Sequence, residues 1–87
     1  MDIQKLTDQL IRHEGMKLEL YKCPANKWTI GVGRNLEDRG ITEEEARFLL
    51  SSDIEISINE LQRAFNWFHL LDDTRQMAIV DLHFNLG

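Results

Sequence analysis

Helical spacing in the first dozen residues breaks at one point, and that break constrains everything after it. Ile3, Leu6, Leu10 and Ile11 form an apolar stripe at helical spacing, and Gly15 follows where such a helix must end. Beyond the glycine the repeat switches from that of a helix to that of a strand. Lys17, Glu19 and Tyr21 alternate with Leu18 and Leu20, which places the two sets on opposite faces. A second alternating segment, Lys27–Val32, is joined to the first by Cys23, Pro24, Ala25 and Asn26. Proline presets a turn φ and asparagine tolerates a left-handed conformation, so this spacing predicts a hairpin. Glu14 stands directly before the break, and Cys23 and Thr29 lie on the hairpin. A carboxylate at a helix end therefore faces a small sheet that carries polar groups.

The remainder is expected to be mostly helical. Asp2 is a candidate N-cap for the first helix, and Arg12 and His13 fall in its last turn, where positive charge suits the dipole. Asn35–Gly40 reads as a polar loop in which Glu37 and Asp38 are solvated. Thr42 with Glu45 forms a capping box, and Ala46, Leu49, Leu50, Ile54, Ile58, Leu61 and Phe65 then keep helical spacing for about six turns. The aromatic segment Asn66–Leu71 lacks a clean period and reads as a packed connection, with Trp67 and Phe68 in the core. Asp72 or Asp73 then caps a third helix running to Leu86, with Met77, Ile79 or Val80, Leu82 or His83, and Phe84 on its buried side. Gly87 is the expected glycine after its end. The fold class is α+β.

Composition excludes several function classes. Eighty-seven residues make one domain, near the lower end of what folds unaided. Residues 1–40 carry seven Lys/Arg against six Asp/Glu, whereas 41–87 carry three against nine. That is not a basic footprint for nucleic acid, and the acidic half reads as a solvated helix face. The N-terminus has no apolar run of the kind found in a signal peptide or membrane anchor, so neither export by a leader nor membrane insertion is expected. With Cys23 as the single cysteine there is no internal disulfide. Gly31-Val32-Gly33 lacks the third glycine and the following helix of a dinucleotide loop. No metal or organic cofactor is implied.

Glu14, eight residues, Cys23, five residues and Thr29 make a pattern that resembles the bacteriophage-type lysozymes, or endolysins. These are muramidases, whose signature has Asp or Cys at the middle position. The flanks resemble them too, through Glu14-Gly15, Thr29-Ile30-Gly31-Val32-Gly33, the segment Gly40–Ala46 and the end Phe84-Asn85-Leu86-Gly87. The resemblance implies a lysozyme-like arrangement: helix and sheet over 1–41, a connecting helix over 42–65, and the start of a helical lobe over 66–87. Family members continue past this last glycine with further helices, so the chain is expected to be an N-terminal portion. Its uncovered apolar helix faces make self-association an expectation.

The resemblance implies hydrolysis of the β-1,4 bond between N-acetylmuramic acid and N-acetylglucosamine, with the peptidoglycan glycan strand as partner. It assigns Glu14, Cys23 and Thr29 to catalysis and Gly33, Asn35, Phe84 and Asn85 to substrate binding. Glycoside hydrolysis needs an acid for the leaving oxygen, which suits a glutamate in a partly apolar cleft. A Cys23 thiolate, favoured by Lys22 and Lys27, would serve as base or nucleophile, while Thr29 positions water or a sugar hydroxyl. Such an enzyme waits in the host cytoplasm until released to the wall. The rival expectation is a non-catalytic wall-binding or assembly fragment, because the second lobe is incomplete.

Overall fold

A computed structural model of the chain describes residues 1–86. Gly87, expected as the glycine closing the last helix, lies outside the described residues. The described chain is α+β and forms two compact units, Met1–Thr42 and the part from Glu43 onward.

The first unit opens with helix α1, Ile3–Glu14. The Asp2 side chain accepts a hydrogen bond from the Lys5 backbone N–H at 3.0 Å, and Gly15, with φ of 77°, ends the helix by donating to the Ile11 carbonyl. Strand β1, Lys17–Lys22, pairs antiparallel with β2, Trp28–Gly31, which pairs antiparallel with β3, Arg34–Asn35. The hairpin turn forms as Pro24 and Asn26 predict. The Cys23 carbonyl accepts from Asn26 N–H at 2.8 Å, Asn26 takes a φ of 62°, and Cys23 N–H donates to the Lys27 carbonyl at 3.0 Å. This is the pattern of a type I turn followed by one left-handed residue.

One expectation for this unit needs correcting. Asn35–Gly40 is not a plain loop: Leu36–Arg39 forms the short helix α2, whose N-cap Asn35 accepts from Asp38 N–H at 3.0 Å. Helix α2 packs on β2 and β3 and touches the end of β1 only where Glu37 lies 4.0 Å from Lys22, and Leu18 on β1 is 83% exposed. The one fully buried side chain of the sheet is Thr29, at 2% exposure. It is central because β2 is the middle strand, with Tyr21 and Asn35 as its partners on either side.

The second unit consists of α3, Glu43–Ala64, a 3₁₀ turn at Phe68–Leu70, and α4, Asp73–Leu86. At 1.5 Å per residue α3 is about 33 Å long, and its start leaves Thr42 at the N-cap position. Asp72 rather than Asp73 caps α4, accepting from Arg75 N–H at 2.8 Å while also pairing with the Arg75 guanidinium at 2.7 Å. The core is Phe68, Leu61 and Ser57. Trp67 leaves that core and lies tilted against Phe65, with ring centroids 5.2 Å apart.

Helix α4 buries less than its pattern predicts. Its apolar residues are spread round the helix, so of its expected buried side Ile79, Val80 and His83 are half-buried, while Met77, Leu82 and Phe84 are exposed. A polar contact holds α3 to α4 instead. The buried Ser57 hydroxyl is hydrogen-bonded to His83 Nδ1, and His83 Nε2 lies 3.3 Å from Glu60 Oε2.

Candidate active site

Glu14 is delivered by the last turn of α1, and its carboxylate reaches over Gly33. A Cβ placed at Gly33 would lie 3.2 Å from Glu14 Oε2, tighter than ordinary contact. Gly33 has φ of 73° and turns the chain from β2 into β3. It is thus the floor on which the carboxylate lies, and glycine leaves that floor bare. The apolar cleft expected around Glu14 is not built by this unit, where the residue stands exposed.

The hairpin brings Cys23, Lys27 and Thr29 together. The Lys27 carbonyl accepts both the Cys23 N–H and, at 2.8 Å, the Thr29 hydroxyl. The Lys27 backbone N–H, and after it the Thr29 hydroxyl, hydrogen-bond the half-buried Cys23 sulfur and hold its thiol pKa below the ordinary value. Partial desolvation opposes them more weakly than these two act. Thr29 has one proton to give. It can donate to the Lys27 carbonyl while Cys23 is a thiol, and rotate to the sulfur once the thiol ionises.

The lysines act otherwise than expected. Lys27 Nζ is 3.3 Å from Asp38 and 3.5 Å from Glu37, and Lys22 Nζ sits 4.2 Å from the Trp28 ring centroid and 4.0 Å from Glu37. Asp38 first, then Glu37, push the Lys27 ammonium pKa up, so it stays charged. The thiol is supported by the Lys27 backbone instead of by the lysine charges. Glu37 and Asp38, expected to be merely solvated, are the partners of this cluster. The signal for them was the Asn35 to Asp38 spacing, which marks a capped helix that turns back over the hairpin.

Of the expected substrate residues, Asn35 is paired with Thr29 across the sheet and donates from Nδ2 to Asp38 at 3.0 Å. Phe84 and Asn85 belong to the second unit. There they border an open groove of about 520 Å³ floored by Leu50, Ile54, Ile58 and Val80. Among the described residues no cluster of His, Cys, Asp and Glu is arranged to hold a metal ion, and no helix is long and apolar enough to cross a membrane.

The sequence is similar to those of known proteins. An endolysin of Acyrthosiphon pisum secondary endosymbiont phage 1 is 43% identical over 47 residues, covering 49% of this chain and 32% of its own. A probable T4-type lysozyme 2 of Dictyostelium discoideum is 24% identical over 114 aligned positions, covering 98% of this chain and 67% of its own. The chain therefore matches about a third of the first relative's length and two thirds of the second's. The phage lysozyme family model matches residues 11–87, which takes in Glu14, the hairpin, and both α3 and α4, and by that match the chain belongs to the phage lysozyme family.

Proposed function

We propose that the protein is a muramidase that cleaves the β-1,4 bond between N-acetylmuramic acid and N-acetylglucosamine in peptidoglycan. Glu14 is the general acid that protonates the leaving glycosidic oxygen. Cys23, as thiolate, takes the proton of the attacking water or itself attacks the sugar, and Thr29 orients the group that attacks. Gly33 gives the glycan close access to the Glu14 carboxylate, and Asn35 offers donor and acceptor groups to the sugar. Phe84 and Asn85 supply an aromatic face and an amide to a further sugar ring. The protein acts on the wall after release from the host cytoplasm.

The observation that carries this reading is the support of a thiolate at Cys23 on the hairpin that leads into Gly33, over which Glu14 lies. A carboxylic acid and a second ionisable group are the minimum that glycosidic cleavage requires. A second reading, wall binding without catalysis, is favoured by the open apolar groove of the second unit.

Turbidity of purified cell walls, followed beside sedimentation, separates the two. The muramidase reading expects lysis by the wild type, with Glu14→Gln falling below about a tenth of it, since the amide keeps the shape but has no acid proton. Residual lysis above that level removes Glu14 as the acid. Sedimentation with walls and no lysis by the wild type selects the binding reading.

A further inference from the structure

Three exposed charges surround the backbone that organises Cys23, and the proposed chemistry does not use them. Glu37 Oε1 accepts the Trp28 backbone N–H at 3.4 Å, and its Oε2 holds Lys27 Nζ at 3.5 Å. Asp38 Oδ1 grips the same ammonium at 3.3 Å, while its Oδ2 accepts from Asn35 Nδ2. Asn35 is the strand partner of Thr29, and Thr29 donates to the Lys27 carbonyl. The contacts form a closed ring: Lys27, Thr29, Asn35, Asp38 and back to Lys27. Each ion pair is solvent-exposed, so each contributes little to stability. Their common effect is geometric. They fix one end of the Cys23 turn on α2, and with it the N–H and carbonyl of Lys27.

We propose that Glu37 is a positioning residue for Cys23, acting through the Lys27 side chain and the Trp28 N–H to hold the Lys27 backbone against the thiol and the Thr29 hydroxyl. This rests on the reading of Cys23 as a reacting group. The charged groups facing the turn are Lys22 and Lys27 from the hairpin and Glu37 and Asp38 from α2, while Glu14 of α1 lies over Gly33. Two positive and two negative charges leave the turn nearly neutral. That makes geometry and through-space charge predict opposite signs. Removing a carboxylate leaves a more positive surrounding, which by charge alone favours the thiolate. Loosening the Lys27 N–H from the sulfur disfavours it.

The test is the pH profile of Cys23 alkylation by iodoacetamide, a neutral reagent, in the wild-type chain, Glu37→Gln, Lys27→Met and Lys27→Arg. Positioning expects Glu37→Gln and Lys27→Met to move the midpoint to higher pH and slow modification near pH 7 by about threefold or more, with Lys27→Arg close to wild type. Should a variant fail to fold, the wild type in 1 M salt serves, since screening to about 3 Å weakens the exposed pairs and slows alkylation in the same direction. In wall lysis, Glu37→Gln lowers kcat with little change in KM. An unchanged or faster alkylation of folded Glu37→Gln, or of the wild type in high salt, overturns the proposal. Alkylation decides this whether or not the wild type lyses walls.

Discussion

Glu14 and Gly33 meet across the junction of helix and sheet, with the carboxylate 3.2 Å from where a Gly33 Cβ would stand. The approach depends on the chain reversing between β2 and β3 with a positive φ at both Gly31 and Gly33. The two glycines are alike in backbone strain but not in neighbours, because a Cβ at Gly31 meets nothing within 4 Å.

That difference makes a matched pair of variants informative. Gly31→Ala and Gly33→Ala each place a side chain at φ near 70°, at a cost of about 1–3 kcal/mol. Similar losses of melting temperature are expected. Only Gly33→Ala displaces the Glu14 carboxylate, so its wall lysis falls well below that of Gly31→Ala. Equal lysis by the two variants would show that the Glu14 position over Gly33 is unimportant.

Thr29 is buried, yet its hydroxyl serves both the Lys27 carbonyl and the Cys23 sulfur. Thr29→Val keeps the shape and removes the proton, so the thiol pKa rises towards its ordinary value while Thr29→Ser holds it near wild type. The lost hydrogen bond costs about 1–3 kcal/mol in urea unfolding. The sign with pH follows from linkage. A thiol pKa lowered in the fold adds stability that is fully present above the unfolded value and is lost as pH falls through the folded one. The stability difference between wild type and Cys23→Ser should therefore grow as pH rises over that interval, and flatten in the Thr29→Val background.

The helix, the hairpin and the long helix were legible because each carries its own local signal. Gly15 ends one period, Pro24 and Asn26 define a turn, and Thr42 with Glu45 starts a long apolar repeat. Helix α2 shows no period, since four residues are too few, and its one local signal is the Asn35 cap. Its absence from the sequence reading also misassigned Lys22 and Lys27. Their partners Glu37 and Asp38 come near only after the reversal at Gly33 folds α2 back on the hairpin. In the second unit, α3 is apolar on more than one side, so spacing alone did not choose which stripe is buried. Ser57 is buried there through its bond to His83, a pairing across 26 positions that no local pattern announces.

Phe68, at 2% exposure, is the largest fully buried side chain, and Gln76 Nε2 donates to its carbonyl at 3.2 Å. Phe68→Ala should cost about 3–5 kcal/mol, enough to unfold a unit with so small a core. Trp67→Ala, at an exposed ring one residue away, should cost far less. Urea midpoints followed by circular dichroism compare the two, and similar losses would place the core elsewhere.

The contact between Ser57 and His83 makes the most specific energetic prediction for the second unit. His83 Nδ1 is hydrogen-bonded to the Ser57 hydroxyl, and Glu60 lies beside the other ring nitrogen, Nε2. Ser57 is 4% exposed, and either single change leaves the other partner short of a hydrogen bond in a half-buried place. Ser57→Ala is expected to cost about 1–3 kcal/mol, while Glu60→Gln, at an exposed side chain, costs about 0.5 kcal/mol or less. In a double-mutant cycle, Ser57→Ala with His83→Ala should show a coupling of about 1 kcal/mol in urea unfolding, above the roughly 0.5 kcal/mol within which independent sites add. Additive losses would mean that burial of Ser57, and not its bond to His83, joins α3 to α4.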